Sequence, residues 1–264
     1  MKMHSLAHRP LALLAVLGAL ALGPALPAEV RTIDDDRPGG FEPLTAAAKG
    51  APFCTADRAW CIVAESDEGE ALVVTAKGSE VARLVAEAQA DREAPEFAPM
   101  PALLRLKDGS VLVGVLATWT AGYSGGGGAY TEQRLVHLVP GRAPATVLAV
   151  PLRGDLLIRA CFSEADVEKR RAACHDEYRL EARLETAGAA DAPPPLRLAT
   201  KAGSFPRGVG RDKDSSENPP LTPADLVWEQ DGGCTYERRF RFDAAAGRYL
   251  PDAALPACEQ YSVP

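Results

Sequence analysis

The stretch that decides the fold lies near the middle of the chain, where residues 103–120 read LLRLKDGSVLVGVLATWT. The pair Asp108-Gly109 separates two apolar runs. A tight turn between strands requires the positive φ that glycine readily adopts. The stretch therefore predicts a β-hairpin whose second strand begins at Val111.

Short apolar runs separated by turn residues lie on both sides of this hairpin. Upstream, residues 60–63 and 71–74 predict two strands joined through residues 67–69. Downstream, residues 133–139 and 146–150 predict two more. Together these runs indicate an antiparallel β-meander.

Three further segments carry a periodic or capping pattern. In residues 178–185 apolar and charged residues alternate, which predicts a half-buried antiparallel strand. Residues 81–88 have apolar positions at a helical spacing, and a third strand of the upstream group is the alternative. Ser163 precedes two acidic residues and can cap a short helix, which is predicted to run to about Ala173.

The composition agrees with a β-rich fold. The chain has 23 glycines and 22 prolines, which suit many turns, and its apolar fraction of 47% is sufficient for a core. We therefore predict a mainly β protein of antiparallel meander or sandwich-like sheets, with one or two short helices and disulfide cross-links. Residues 204–223 are poor in apolar side chains and predict a long loop that is either functional or mobile.

The N-terminal residues have the layout of a cleaved secretory signal. Lys2 and Arg9 precede an apolar run at 11–23, and small residues follow up to Ala28. This run is too short to span a bilayer, so no transmembrane anchor is expected. We therefore predict a periplasmic or secreted protein.

The chain divides into three predicted regions. Residues 1–28 are the signal peptide, and residues 29–52, which contain three consecutive aspartates, form an extended acidic arm. Residues 53–264 form the β-rich globular region. The Pro- and Gly-rich loops at 187–222 mark a candidate boundary within that region.

All six cysteines follow the predicted signal, in three pairs that are close in sequence. An oxidising compartment favours disulfides, and the sequence has no Cys-x-x-Cys motif that would favour zinc. Sequence alone does not fix the pairing, although neighbouring cysteines would close the shortest loops. The neighbouring pairs are Cys54 and Cys61, Cys161 and Cys174, and Cys234 and Cys258.

The charge of the chain argues against one class of partner. The formal net charge is −7, and removal of residues 1–28 would take away two basic residues and no acidic ones. A protein that binds nucleic acid needs a dense basic face, which the sequence lacks. We therefore expect no nucleic-acid partner and no attraction to an anionic membrane surface.

One motif suggests catalysis. Residues 122–126 match G-x-S-x-G, the pattern around the nucleophilic serine of α/β-hydrolases. They also resemble the G-D-S-G-G signature of trypsin-like serine proteases, with Tyr123 in the place of the aspartate. The resemblance covers five residues and implies that Ser124 is the nucleophile.

The rest of the chain does not supply the partners that this serine would need. Trypsin-like proteases place the histidine base before the serine, and no histidine lies between residues 29 and 136. The glycines at 126–128 disfavour the helix that follows the serine of an α/β-hydrolase. We therefore assign no catalytic residue. A periplasmic hydrolase that uses Ser124 or an unidentified carboxylate pair is the alternative.

The histidines and acidic clusters are interpreted as structural. His137 lies in an apolar strand, and His175, beside Cys174 and Asp176, is interpreted as a turn residue at a disulfide. Residues 212–217 begin like a calcium-binding loop, but the glycine and glutamate that this motif requires are missing. We predict no metal site and no cofactor.

Aromatic residues on either side of the glycines at 125–128 suggest a recognition site. Trp119, Tyr123, Ser124 and Tyr130 would flank a flexible loop with a large contact area. The alternative is a hairpin connection whose aromatic rings pack on the sheet. We predict a non-catalytic binding protein, such as an inhibitor or immunity protein, whose partner is an envelope or extracellular protein.

Overall fold

Antiparallel strands dominate the computed structural model, which describes residues 41–65, 69–88, 92–187 and 193–262. Strands make up 52% and helices 7% of the described residues, which confirms the predicted mainly β class. The predicted signal peptide and residues 29–40 of the predicted arm lie outside the described residues. Within the described part, no helix is long and apolar enough to cross a membrane.

The described residues form fourteen strands, a short helix α1 at Glu164–Lys169, and three 3-10 turns. The strands are β1 Glu42–Pro43, β2 Phe53–Cys54, β3 Trp60–Ala64, β4 Ala71–Ala76, β5 Ser79–Val85, β6 Glu96–Arg105, β7 Val111–Tyr123, β8 Gly126–Leu138, β9 Ala145–Arg159, β10 His175–Thr186, β11 Leu196–Phe205, β12 Glu229–Gln230, β13 Glu237–Asp243 and β14 Arg248–Pro251.

Ten strands form the larger sheet, in the order β1-β6-β7-β8-β9-β10-β11-β13-β14, with β12 paired to β11. The predicted central hairpin is present, since Arg105 of β6 lies opposite Val111 of β7. Gly109 in its turn has a φ of +83°, the left-handed conformation that the Asp-Gly pair predicts. Strands β6 to β9 therefore form the predicted meander.

The smaller sheet contains β2 to β5 in sequence order. Residues 79–85 form its edge strand β5, which decides between the helix and the strand that the sequence allowed. Leu84 lies opposite Leu72 of β4, and Ala82 lies opposite Val74. Pairing with β4 therefore outweighs the helical spacing of the apolar residues.

One cluster of buried side chains lies where the smaller sheet meets the larger one. Val113 and Val115 of β7 belong to it, together with Leu72 and Val74 of β4. Alternate residues of β7 point to this side, as the period of two in a strand requires. The two sheets therefore pack as the predicted sandwich-like pair.

A second cluster covers the opposite face of the larger sheet. It joins Leu180 of β10 and Leu198 of β11 to Phe240 of β13. The sheet curves around this cluster, since β14 contacts β9 and the ring of Phe242 meets that of His137 edge-on at 5.9 Å. We call this side of the sheet the concave face.

All six cysteines form disulfides, each with its neighbour in sequence. Cys54–Cys61 joins opposite residues of β2 and β3. Cys161–Cys174 closes the loop that contains α1. Cys234–Cys258 ties the segment after β14 to the start of the hairpin formed by β13 and β14.

The helix α1 begins as predicted and ends earlier than predicted. Ser163 is its N-cap, and the side chains of Ser163 and Asp166 form a reciprocal capping box. The helix ends at Lys169 instead of near Ala173, because Arg171 and Ala172 adopt left-handed conformations with φ of +52° and +66°. The chain can then turn into β10 immediately after Cys174.

The loop after β11 is held against the sheet by a buried ion pair. Arg170 contacts Asp176 at 2.5 Å, both side chains are almost completely buried, and Ser215 of the loop donates a hydrogen bond to the same carboxylate. The ammonium group of Lys169 donates to the carbonyl of Ser216 at 2.6 Å. This part of the predicted long loop is therefore attached at several points.

The globular region includes residues that the sequence assigned to the arm. Glu42 and Pro43 form strand β1 against β6, and Phe41 and Leu44 are buried. At the predicted boundary of 187–222, β10 and β11 pair along their lengths and β11 pairs with β13. Strand β11 therefore lies within the predicted boundary region and belongs to the same sheet as β10 and β13.

Candidate functional site

The four residues predicted to bind a partner lie at the end of the hairpin formed by β7 and β8. Tyr123 lies opposite Gly126, so only Ser124 and Gly125 form the turn. The predicted flexible loop at 125–128 is wrong, because residues 126–128 pair with β7 on one side and β9 on the other. A Cβ on Gly128 would lie 2.3 Å from the carbonyl oxygen of Asp155, so strand packing explains this glycine.

The aromatic rings differ in their exposure. Trp119 is 5% exposed, lies opposite Tyr130 and donates its indole N–H to the carbonyl of Glu93 at 2.8 Å. Burial raises the pKa of the Tyr130 hydroxyl. Tyr123 is 42% exposed, and its hydroxyl donates to the carbonyl of Leu157 at 3.3 Å. Two of the three aromatic residues therefore pack on the sheet, as the alternative interpretation expected.

Ser124 occupies an exposed turn. Its hydroxyl makes no hydrogen bond to any base in the part of the chain that the structure describes. The geometry therefore gives the G-x-S-x-G motif no proton acceptor.

A serine, a histidine and an aspartate do meet, at the other end of β7. The hydroxyl of Ser110 lies 2.8 Å from Nε2 of His137 and 2.6 Å from Oδ1 of Asp108. The Ser110 hydroxyl and backbone N–H both donate to Asp108 and hold the pKa of this carboxyl below its usual range. Because the single serine proton goes to Asp108, His137 donates its Nε2–H to the serine. Ser110 is 1% exposed, so this cluster braces the hairpin.

A cleft lies on the concave face. Its volume is about 1070 Å³, close to the upper limit for small-ligand pockets. Tyr178 of β10 and Ser204 of β11 form its floor, and residues 209–212, 229–232 and 259–262 form its walls. We call it the polar cleft.

Asp231 and Arg211 fix the wall that residues 259–262 contribute. The Asp231 carboxylate accepts hydrogen bonds from the Tyr261 hydroxyl at 3.0 Å and the Gln260 amide at 2.7 Å. Burial would raise the pKa of Asp231, but these bonds and two backbone N–H donors outweigh it and hold the pKa below its usual value. Arg211 donates to the carbonyls of Glu259 and Ser262, both at 2.9 Å. The wall is therefore held from both sides.

Two hydrogen-bond donors at the cleft have no partner within the described residues. Tyr178 is 3% exposed and lines the cleft, and its hydroxyl makes no hydrogen bond there. Burial raises the pKa of this hydroxyl, which keeps its proton. Arg92 also lines the cleft, and its guanidinium lies 4.9 Å from the ring centroid of Trp119 and 5.7 Å from that of Tyr130. Among the described residues Arg92 has no ion-pair partner.

The cleft also has an acidic rim formed by Asp212, Glu229 and Glu259. Asp231 also lines the cleft, and its lowered pKa does not suit a general acid near neutral pH. Within the described residues, no group of three or more metal-binding side chains could hold a metal ion.

The sequence prediction reached the polar cleft only indirectly. Trp119 and Tyr130 support Arg92, whereas Tyr123 and Ser124 do not line the cleft. Tyr178 was predicted on the buried face of a strand, and a tyrosine at such a position brings a polar tip into an apolar layer. The hydroxyl of a tyrosine on the buried face of a strand was therefore the one sequence signal that could have indicated the cleft.

Comparison with known proteins adds no assignment: no family model matches the chain, and neither a curated protein nor a solved structure matches it.

Proposed function

We propose that this chain is an exported, disulfide-stabilised binding protein of the cell envelope or extracellular space, and that it holds its ligand in the polar cleft without catalysis. Inhibitor and immunity proteins are examples of this class. Three disulfides suggest an oxidising environment, in agreement with the predicted signal peptide. The net negative charge suits a soluble exported protein.

The observation that carries this proposal is the hydroxyl of Tyr178. Tyr178 is almost completely buried as a residue and lines the polar cleft, and no hydrogen bond joins its hydroxyl to a described residue. A neutral tyrosine hydroxyl can donate a hydrogen bond, and a few such polar groups in a cleft fix the orientation of a ligand. A ligand acceptor in the cleft would accept this hydrogen bond.

Tyr178→Phe removes only this hydroxyl and keeps the ring that packs in the core. The parent protein would be incubated with peptides and oligosaccharides released from digested cell envelopes, and retained ligands would be identified by mass spectrometry after size exclusion. We expect the parent to retain a small ligand and Tyr178→Phe to retain less of it.

Tyr123→Phe is the matched control, because it removes a tyrosine hydroxyl at the hairpin end outside the cleft. It should retain as much ligand as the parent. Loss of ligand in Tyr123→Phe alone would move the site to the hairpin end, where the sequence placed it. Failure of the parent to retain anything would contradict the proposed function.

A hydrolase is the second candidate, because the polar cleft gathers several carboxylates. Glu229 and Glu259 both line it, and two carboxylates can act as acid and base in glycoside hydrolysis. Turnover of glycan, peptide and ester substrates would be compared between the parent, Glu229→Gln and Ser124→Ala. Turnover that Glu229→Gln abolishes would replace the binding proposal with an enzyme. Turnover that only Ser124→Ala abolishes would restore the serine motif.

A further inference from the structure

We infer that the ligand of the polar cleft presents an organic carboxylate to Arg92 and Tyr178, and that this carboxylate is the free C-terminus of a peptide that also carries a cationic group. The inference rests on the proposed function, because it names the ligand class of the same cleft. It agrees with the expectation of an envelope or extracellular protein as partner.

Arg92 is placed for carboxylate recognition by the rings beneath it. The guanidinium stacks over Trp119 and Tyr130 at 4.9 and 5.7 Å, and Trp119 is itself fixed by its bond to Glu93. Stacking holds the plane of the guanidinium and leaves its N–H groups available at the edges. A carboxylate can accept two of these in parallel, which is the geometry that arginine favours.

Two other arginines near the same region show what Arg92 lacks. Arg134 also stacks on Trp119, at 5.4 Å, but it is paired with Glu132 at 3.0 Å. The buried Arg170 is paired with Asp176. Arg92 lines a cleft, has aromatic support and has no acidic partner among the described residues, so its guanidinium can pair with a carboxylate on a ligand.

Tyr178 and Arg211 add donors to the same cleft. The Tyr178 hydroxyl is neutral, and a protonated hydroxyl donates to a carboxylate oxygen. One nitrogen of Arg211 is used by the carbonyls of Glu259 and Ser262, which fixes the position of its charge at the cleft. The lining of the cleft therefore includes three donor groups that can bind an anion.

The acidic rim decides which carboxylate is accepted. Asp212, Glu229 and Glu259 would repel a ligand that carries only negative charge. A peptide with a free C-terminus and a free amine carries a negative and a positive charge. Its carboxylate can bind the donors of the cleft, and its ammonium group can bind the acidic rim. A sugar acid supplies the carboxylate without the cation, so we favour the peptide.

Trialanine is the probe, because its side chains are minimal and its two termini carry the charges. Its affinity for the full-length protein would be measured by calorimetry beside trialanine amide, N-acetyltrialanine and glucuronate. We expect trialanine to bind best. Amidation of the C-terminus should weaken binding by about tenfold or more, since it removes a charge-assisted hydrogen-bond pair.

Arg92→Gln tests the contact itself. It should weaken trialanine about tenfold or more and leave trialanine amide unchanged, because the amide lacks the group that Arg92 binds. Arg92→Lys keeps the positive charge but lacks the paired N–H donors of the guanidinium, so its affinity for trialanine should be intermediate. Arg248→Gln makes the same charge change on the exposed strand β14 and should bind trialanine like the parent. Thermal midpoints of all variants would show that each is folded.

Equal binding of trialanine and its amide, or equal binding by the parent and Arg92→Gln, would overturn the inference. If glucuronate binds in preference to trialanine, the part of the inference that names a carboxylate stands, and the part that names a peptide is overturned. If no probe binds while the parent still retains an envelope ligand, this inference fails and the proposed function stands. If the parent retains nothing from the envelope digest, the proposed function itself fails.

Discussion

The two turns that flank strand β7 each carry a serine, but they differ in what surrounds it. Ser110 is buried and bonded to Asp108 and His137, whereas Ser124 is exposed and bonded to no base in the described chain. In a catalytic triad the histidine accepts the serine proton. At Ser110 the proton goes to the aspartate instead, so the cluster stabilises a turn. The serine that matches a catalytic motif therefore has no base, and the serine that contacts a histidine and an aspartate lies outside the motif, at the other end of the same strand.

The glycines near the two turns should differ most in their tolerance of a side chain. Gly128→Ala places a Cβ within 2.3 Å of the Asp155 carbonyl oxygen, and we expect a loss of about 3 kcal/mol in the free energy of unfolding. Urea denaturation measures it. Gly109→Ala is the matched control, since its turn is open and only its left-handed φ opposes alanine, at about 1–2 kcal/mol. A Gly128→Ala protein as stable as the parent would contradict the close strand packing.

Ser110→Ala should have the next largest effect. It leaves the Nε2–H of His137 without an acceptor and removes a donor to Asp108, so we expect a loss of about 1–2 kcal/mol. Chemical denaturation at pH 7.5 would measure this loss. Unchanged stability would show that the cluster does not brace the hairpin.

His137 should make stability depend on pH, by less than the effect of Ser110→Ala. Burial lowers the pKa of His137 below its ordinary value of about 6.5, against the opposing charge of Asp108. Below about pH 6.5 the unfolded chain therefore binds a proton at this histidine more readily than the folded chain. The stability that the folded chain gains from a neutral His137 is therefore complete above about pH 6.5 and declines as the pH falls below it. Between pH 7.5 and 5.5 the parent should lose more stability than His137→Gln. Parallel losses in both proteins would remove His137 as the cause.

Ser124→Ala should have the smallest effect. The side chain is exposed and makes no bond within the described chain, so the free energy of unfolding should change by less than about 0.5 kcal/mol. The same denaturation measurement tests this expectation. A loss as large as that of Ser110→Ala would mean that the two turns do not differ as described.

Local patterns predicted much of the fold. The Asp108-Gly109 turn and the alternation in residues 178–185 were confirmed, because both follow from backbone conformation and the period of a strand. The glycines at 126–128 were misread as a loop, since glycine is uncommon in strands. Their place in the strand depends on neighbours more than twenty residues away along the chain, which no local pattern records.

The candidate site was less predictable than the fold. Its floor comes from β10 and β11, and its walls come from three segments that are separated in sequence. Arg92 has no recognisable motif around it, and its position depends on two rings from β7 and β8. The sequence identified those rings as notable, but it could not show that they support a cation at a cleft.

The position of residues 259–262 has a consequence for the order of folding. Tyr261 packs against Gly154 and bonds to Asp231, so the cleft is closed by contacts between distant parts of the chain. Closing a loop of about a hundred residues carries an entropic cost that local hairpins avoid, so these contacts are expected to form late. A ligand that needs the finished cleft binds only the completed fold and draws the folding equilibrium toward it. Occupancy of the cleft would then report that the molecule has finished folding.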